Sequence, residues 1–348
     1  MNKIKIILVA VIALSGLSYY GVASHVNATS DVPQSSSLIS VVQYERQATK
    51  NFTSKVVILH QDITRYCHTG NETNSSSIKM SWINAMHAWM PLQGQGKGPK
   101  QAIDLSWSIQ FWPDKKNITG RKMEQLLQEP NLWQINSIKQ QSVTVQGLGA
   151  LEWLLFDPLS EFFQQDKPYC QLALSISDNL SNNALEIEKA WQVNPWQSLP
   201  ATQWPAEYLG LMMNQLDFLI QKIQRPLAKI GQPRPYFSES WRAKQSFALM
   251  LSNIKALHQL YLVDGHGFDQ LLRQRGLDDL ANRINQQFIQ TIETWPHQPS
   301  LFDELQTKEG YRVALSQKNK LERLKYLFHD EAAVELGIAV GFNSTDGD

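Results

Sequence analysis

From Leu38 to Tyr66 the apolar residues Leu38, Val41, Val42, Phe52, Val56, Val57, Leu59 and Ile63 return at helical spacing, with no glycine or proline among them. That spacing predicts one long amphipathic helix. Hardly any segment of the chain alternates with period two over six residues, so the fold class expected is all-α. A polar break at Thr69–Ser75 is followed by a second helical run carrying Met80, Ile83, Met86, Trp89 and Met90, which Ser76 or Ser77 can cap. Further runs are expected over about 169–191, 206–223, 238–262, 277–294 and 309–339. The proline-rich crossing from Asn194-Pro195-Trp196 to Pro205 reads as a boundary. The expectation is two tandem antiparallel helical bundles, residues 38–194 and 195–348, after a linker at 29–37.

The chain opens with Lys3 and Lys5, an apolar run from Ile6 to Leu14 and the small residues before Ala28. This is the pattern of a secretory signal peptide over residues 1–28, cleaved near Ala28, and it implies export to the periplasm. The apolar run is too short to span a bilayer, and no other stretch could do so. Removing residues 1–28 leaves 30 basic against 32 acidic residues, a net charge of about −2 that argues against a nucleic-acid partner. In an oxidising compartment the two cysteines, Cys67 and Cys170, are expected to form a disulfide; the alternative is two buried thiols. Charged residues are only 18% of the chain while tryptophans number 11. Trp82, Trp89, Trp107 and Trp112 are therefore expected to fill the first bundle. The run Gly94-Gln95-Gly96-Lys97-Gly98-Pro99 is a loop flexible enough to approach a ligand, the plainer reading being a connector.

Chemistry points to Gly147-Leu148-Gly149-Ala150-Leu151-Glu152-Trp153-Leu154-Leu155-Phe156-Asp157-Pro158. This is a short apolar helix halted before Pro158, with one carboxylate at its middle. An ionised group taken out of water must be paired or must shift its pKa. Glu152 therefore either has a buried partner or lines a pocket. Gly149 shares its face one turn earlier. Glycine inside a helix costs about 1 kcal/mol against alanine. The space beside it is either packed by a neighbouring helix, the favoured reading, or left open to a ligand.

Four stretches in order, Phe111-Trp112-Pro113-Asp114, Gly147–Leu155, Ser240-Trp241-Arg242 and the ending Leu336–Asp348, resemble the imelysin family of exported bacterial helical proteins. The resemblance implies two helical bundles meeting at a cleft, with a G-x-H-x-x-E signature there. Gly147 and Glu152 match that signature, but Gly149 stands at the histidine position. Cys67 and Cys170 also sit where family members can carry cysteines. The ligand-binding candidates are Glu152, Gly149, Gly147, Arg242, Trp241 and Asp114. An ion pair between Arg242 and Glu152 is the specific pairing expected, with Asp114 or Asp346 as other acids that Arg242 could meet. Glu152 is also the one candidate metal ligand, with iron or another divalent cation as the implied cofactor. His266 could face the cleft, the plainer reading being a polar residue in an exposed turn. The acidic tail Asn343–Asp348 lacks the spacing of a calcium loop and reads as a terminal turn.

The leading expectation is an exported protein that binds a small ligand or an envelope protein in the cleft, in a role connected with metal or iron handling. One alternative is a metal-dependent peptidase of the imelysin type, although no H-E-x-x-H is present. Another is an envelope adaptor or structural protein with a degenerate site.

Overall fold

Fourteen α-helices account for most of the computed structural model, which describes residues 36–69, 75–164, 166 and 169–338. The expected signal peptide, most of the expected linker, the centre of the 69–75 break, Pro168 and the tail from Ala339 to Asp348, with Asp346, lie outside the described residues. The helices are α1 (Ser36–Thr69), α2 (Ser75–Trp89), α3 (Lys100–Ile109), α4 (Ile118–Leu127), α5 (Ile135–Ile138), α6 (Gly147–Phe156), α7 (Cys170–Ala190) and α8 (Trp204–Leu227). They continue as α9 (Ser246–Leu262), α10 (Phe268–Arg273), α11 (Asp278–Glu293), α12 (Leu301–Glu304), α13 (Lys308–Tyr326) and α14 (Ala333–Glu335). Among the described residues there is no strand, only an isolated bridge between Lys229 and Gln232. The fold is all-α. No helix among the described residues is long and apolar enough to cross a membrane.

Residues before and after the 194–205 crossing pack chiefly among themselves. In the first half α1 lies against α2 and α7, and α6 against α7, α2 and α4. In the second half α8 lies against α9 and α13, and α11 against α9, α10 and α13. The halves touch where α2 meets α9 and where α1 meets the turn at 263–265, and all the described residues belong to one compact unit. A file of rings runs through the crossing: Trp191, Trp196, Trp204 and Tyr208 follow one another at centroid distances of 5.6, 5.2 and 5.1 Å. Each such pair adds roughly 0.5–1.5 kcal/mol beyond the area it buries. The polar ends are also used, Trp196 Nε1 donating to Glu207 and Trp204 Nε1 to Ser37 Oγ.

Two helices differ from expectation, and the first difference bears on the site described below. The run expected as helix over 238–262 becomes helical only at Ser246. Ser240 and Lys244 take positive φ values of 50° and 57°, which residues with a side chain enter as single turn positions and not as parts of a helix. Residues 238–245 are therefore a folded loop. The final helix expected over 309–339 is α13, then a π-helical stretch from Leu327 to Ala332, then α14. Of the four tryptophans assigned to the first core, Trp82, Trp89 and Trp112 are buried, but Trp107 is 49% exposed.

Cys67 near the end of α1 is bonded to Cys170 at the start of α7. The bridge closes a loop with a sequence separation of 103 residues, long enough that cross-linking removes substantial freedom from the unfolded chain. Reduction, or the pair Cys67→Ser with Cys170→Ser, is expected to lower unfolding free energy by about 2–4 kcal/mol. Guanidinium titrations with and without reductant measure this.

Candidate functional site

Helix α6 starts where the chain can bend without a side chain. Gly147 has φ +64°, and a Cβ there would lie 2.2 Å from the Ile109 carbonyl oxygen, so only glycine lets α6 begin against the end of α3. From that start the helix is buried on nearly every face, and Glu152 in its middle is only 7% exposed. The carboxylate does not stand alone. The backbone N–H groups of Arg242 and Ala243, in the 238–245 loop, donate to Oε1 at 2.9 and 3.0 Å. Oε2 has no hydrogen-bond donor among the described residues.

The turn at Ser240 aims those two amides. The Arg242 side chain is directed elsewhere: Nε pairs with Asp157 Oδ2 at 2.6 Å and a terminal nitrogen donates to Asn117 Oδ1 at 2.7 Å. Its guanidinium also covers the Trp241 ring, 4.3 Å from the centroid. Arg242 thus meets Glu152 through its main chain, and the ion pair expected between their side chains is replaced by one to Asp157. The reason is geometric. Glu152 and Asp157 lie at the middle and the end of one short helix, so the loop lays its backbone on the first and its guanidinium on the second. Asp114 takes a third role: its carboxylate accepts from the N–H groups of Ile118 and Thr119 at 2.6 and 2.9 Å and caps α4.

A cavity of about 40 Å³ opens beside Glu152. Gly149, Glu152, Asp114, Trp241 and Arg242 line it together, while Gly147 does not. Four more wall residues, Tyr236, Phe237, Ser238 and Ser240, come from the loop and its approach, and Gln110, Phe111, Trp112 and Thr119 from the first half. Ser238 Oγ and Ser240 Oγ are buried and have no hydrogen-bond partner. The space beside Gly149 is not packed. A Cβ there would meet only the Phe111 carbonyl oxygen, 4.0 Å away, which corrects the expectation of a neighbouring helix filling it. Gly149→Ala should accordingly raise stability by about 0.5–1 kcal/mol while narrowing the cavity. Urea titration checks the first effect, and a glycine held in place by packing would show the opposite sign.

Burial pushes the Glu152 carboxyl up, to about 7. The nearby Arg242 charge and the two backbone N–H groups pull against that rise, and Glu239 adds to it. Glu239 is itself buried, at the second wall of the cavity, and forms an ion pair with Lys222 of α8. Lys222 Nζ also donates to Gln93 Oε1 at 2.8 Å and Asn253 Oδ1 at 2.6 Å. Gln93 Nε2 donates to Gln110 Oε1 at 2.7 Å, and Gln110 Nε2 to Glu239 Oε1 at 2.8 Å. The network joins residues from both halves and holds the loop in place. Burial lowers the Lys222 ammonium, and Glu239 opposes that.

The donor set around Glu152 does not fit a divalent metal. Oε1 already accepts two N–H groups, Asp114 is used as a cap, Glu239 is held by Lys222, and no histidine lines the cavity. Among the described residues no group of three or more His, Cys, Asp and Glu side chains could hold a metal ion. His60 and His87 meet Ser177 and Ser252, and His258 meets Asn285, all away from this cavity.

Sequence reasoning missed Asp157, Asn117, Glu239, Ser238 and the Ala243 N–H. The Ser240-Trp241-Arg242 stretch marked the neighbourhood, but nothing in it announces that the backbone does the binding.

Fold and site together define an all-helical protein with a small, carboxylate-bearing cavity where residues of its two halves meet. The model of the imelysin family matches residues 47–328, and the chain belongs to that family. No curated protein sequence matches it. An imelysin-like protein from Psychrobacter arcticum 273-4 has a similar structure, with TM-score 0.69 and 19% identity over 88% of this chain and 98% of that one. Another, from Parabacteroides distasonis ATCC 8503, is described as a "putative iron-regulated protein A precursor"; its TM-score is 0.65, with 13% identity over 85% and 95% of the two chains. At these identities the likeness is one of fold.

Proposed function

We propose that the protein is an exported, periplasmic binding protein whose cavity beside Glu152 takes a hydrogen-bond-donating head group, an amine or a hydroxyl, of a small ligand. The observation that carries this reading is the division of labour on one buried carboxylate. Oε1 is held by two backbone amides, while Oε2 is left without a donor beside the open space at Gly149 and two unpartnered serine hydroxyls. A buried acid with a raised pKa works against stability, and such groups cluster at functional sites. Tyr236, Phe237 and Trp241 supply apolar walls, and the small volume suits a head group and not a whole ligand.

The signal-like residues 1–28 support export. The description of the Parabacteroides neighbour as iron-regulated supports a place in iron handling. With so few ligating groups at Glu152, that role runs through an organic ligand and not through a bare ion. Thermal-shift measurements on a panel of primary amines and polyols, alongside Fe²⁺ and Zn²⁺ alone, test the reading. Stabilisation by an amine or polyol that is absent in Glu152→Gln is expected. A shift with a metal ion alone that depends on Glu152 would replace this reading with direct metal binding.

A further inference from the structure

A second cavity, of about 240 Å³, lies between the 90–99 loop, α3 and α8 and shares Gln110 and Trp112 with the wall of the first. We propose that it is a binding site for one uncharged pyranose ring of a saccharide.

Its lining contains no lysine, arginine, histidine, aspartate or glutamate. Four aromatic residues surround it: Trp89, Trp107, Trp112 and Phe218. Trp112 is fixed edge-on to Phe218 at 5.3 Å, whereas Trp107 is half exposed, its ring 5.9 Å from that of Phe111. A large indole left half in water beside a cavity is a platform open to a ligand. The polar groups between the rings are amides and one hydroxyl, Ser106 Oγ, which donates to the Ile103 carbonyl oxygen at 2.7 Å. The side-chain amide of Asn214, on α8, makes no hydrogen bond with any described residue. Gln95 gives Nε2 to Glu45 Oε2 at 2.6 Å, which orients the amide and leaves its Oε1 as a fixed acceptor. Glu45 is fully buried, and that burial pushes its carboxyl up to about 8, while the Gln95 hydrogen bond pulls it down. Trp89 Nε1 is a buried donor without an acceptor.

The loop is built to stay put. A Cβ at Gly94 would lie 2.6 Å from Phe218 Cβ, and one at Gly96 would lie 2.5 Å from Asn214 Nδ2. The two glycines therefore let the loop press onto α8 and bring Gln95 and Asn214 to the wall of one cavity, so little ordering remains to be done on binding.

This lining selects by exclusion as well as by fit. A phosphate or carboxylate ligand would find no cation, and an amine no carboxylate. A purely apolar ring would strip water from Asn214 and Gln95 and give nothing back. A pyranose has an apolar C–H face for an indole and hydroxyls at its edge for planar amides. The volume lies below the ~300–1,000 Å³ usual for drug-sized ligands, so it suits a single ring with any further sugar emerging past Trp107.

The test uses the full chain, with N-acetylglucosamine, methyl β-glucopyranoside and maltose as probes and glucuronate and benzyl alcohol as charged and apolar controls. Tryptophan fluorescence and the Asn214 side-chain amide signals are followed. Saturable millimolar binding of at least one neutral sugar, weakened about tenfold in both Trp107→Ala and Asn214→Ala, is the expected result. Trp107 is half exposed, so its variant should fold, and circular dichroism verifies both variants. Absence of saturable change with all three sugars overturns the proposal. So does sugar binding that Trp107→Ala leaves intact, or benzyl alcohol or glucuronate binding as tightly as the sugars.

Discussion

Lys222→Met is expected to lower unfolding free energy by about 3–5 kcal/mol, because it leaves the Glu239 carboxylate buried without its counter-charge. Lys222 and Glu239 have side chains 0% and 1% exposed, and the methionine stem replaces the packing of the lysine but none of its charge. Asn253 Oδ1 loses its donor at the same time, while Gln93 Oε1 keeps Asn253 Nδ2 at 3.3 Å, and a buried acceptor without a donor carries its own penalty. The double variant Lys222→Met with Glu239→Gln should recover much of the loss, since it removes both charges while the glutamine can still accept from Gln93 and Gln110. Guanidinium unfolding of the two single variants and the double variant gives the coupling. Equal and additive losses would mean that the pair is not what joins the loop to α8.

Glu152→Gln should be more stable than the native protein at pH 8 and closely similar to it near pH 4. The carboxyl changes from 4.5, its ordinary value, to about 7 in the folded protein. Between those two values the unfolded chain has released the proton that the folded chain still holds. The stability tied to that proton is therefore fully present below about 4.5 and is lost as pH rises through about 7. The difference is on the order of 3 kcal/mol above pH 7. A glutamine oxygen can still accept from the Arg242 and Ala243 N–H groups, so the substitution takes away the buried charge and not the scaffold. Denaturant titrations across pH 4–8 read the effect. The same variant should lose the ligand-dependent stabilisation, which a purely structural carboxylate would not predict.

The helices were legible because their apolar spacing is strong, and α6 was legible as the place to look because one acid interrupts an apolar run. The stretch Ser238–Gln245 was not. Its residues are compatible with helix, and only the positive φ values at Ser240 and Lys244, set by tertiary contacts with α6, turn it into a loop. That loop changes the partner of Glu152 from a guanidinium to two amides, a distinction that side-chain chemistry cannot reveal because every residue offers the same N–H. The open space at Gly149 and the half-exposed ring of Trp107 were hidden for a related reason. A glycine and a tryptophan carry no mark of whether a neighbouring helix reaches them.

Glu152 is a buried carboxyl held on one oxygen by the backbone and available on the other. Titration of its carboxyl carbon by NMR reads that state at the residue itself. A midpoint near 7, displaced when a cavity ligand is added, is the predicted result; a midpoint near 4.5 that no ligand moves would show a solvated carboxylate and contradict the account.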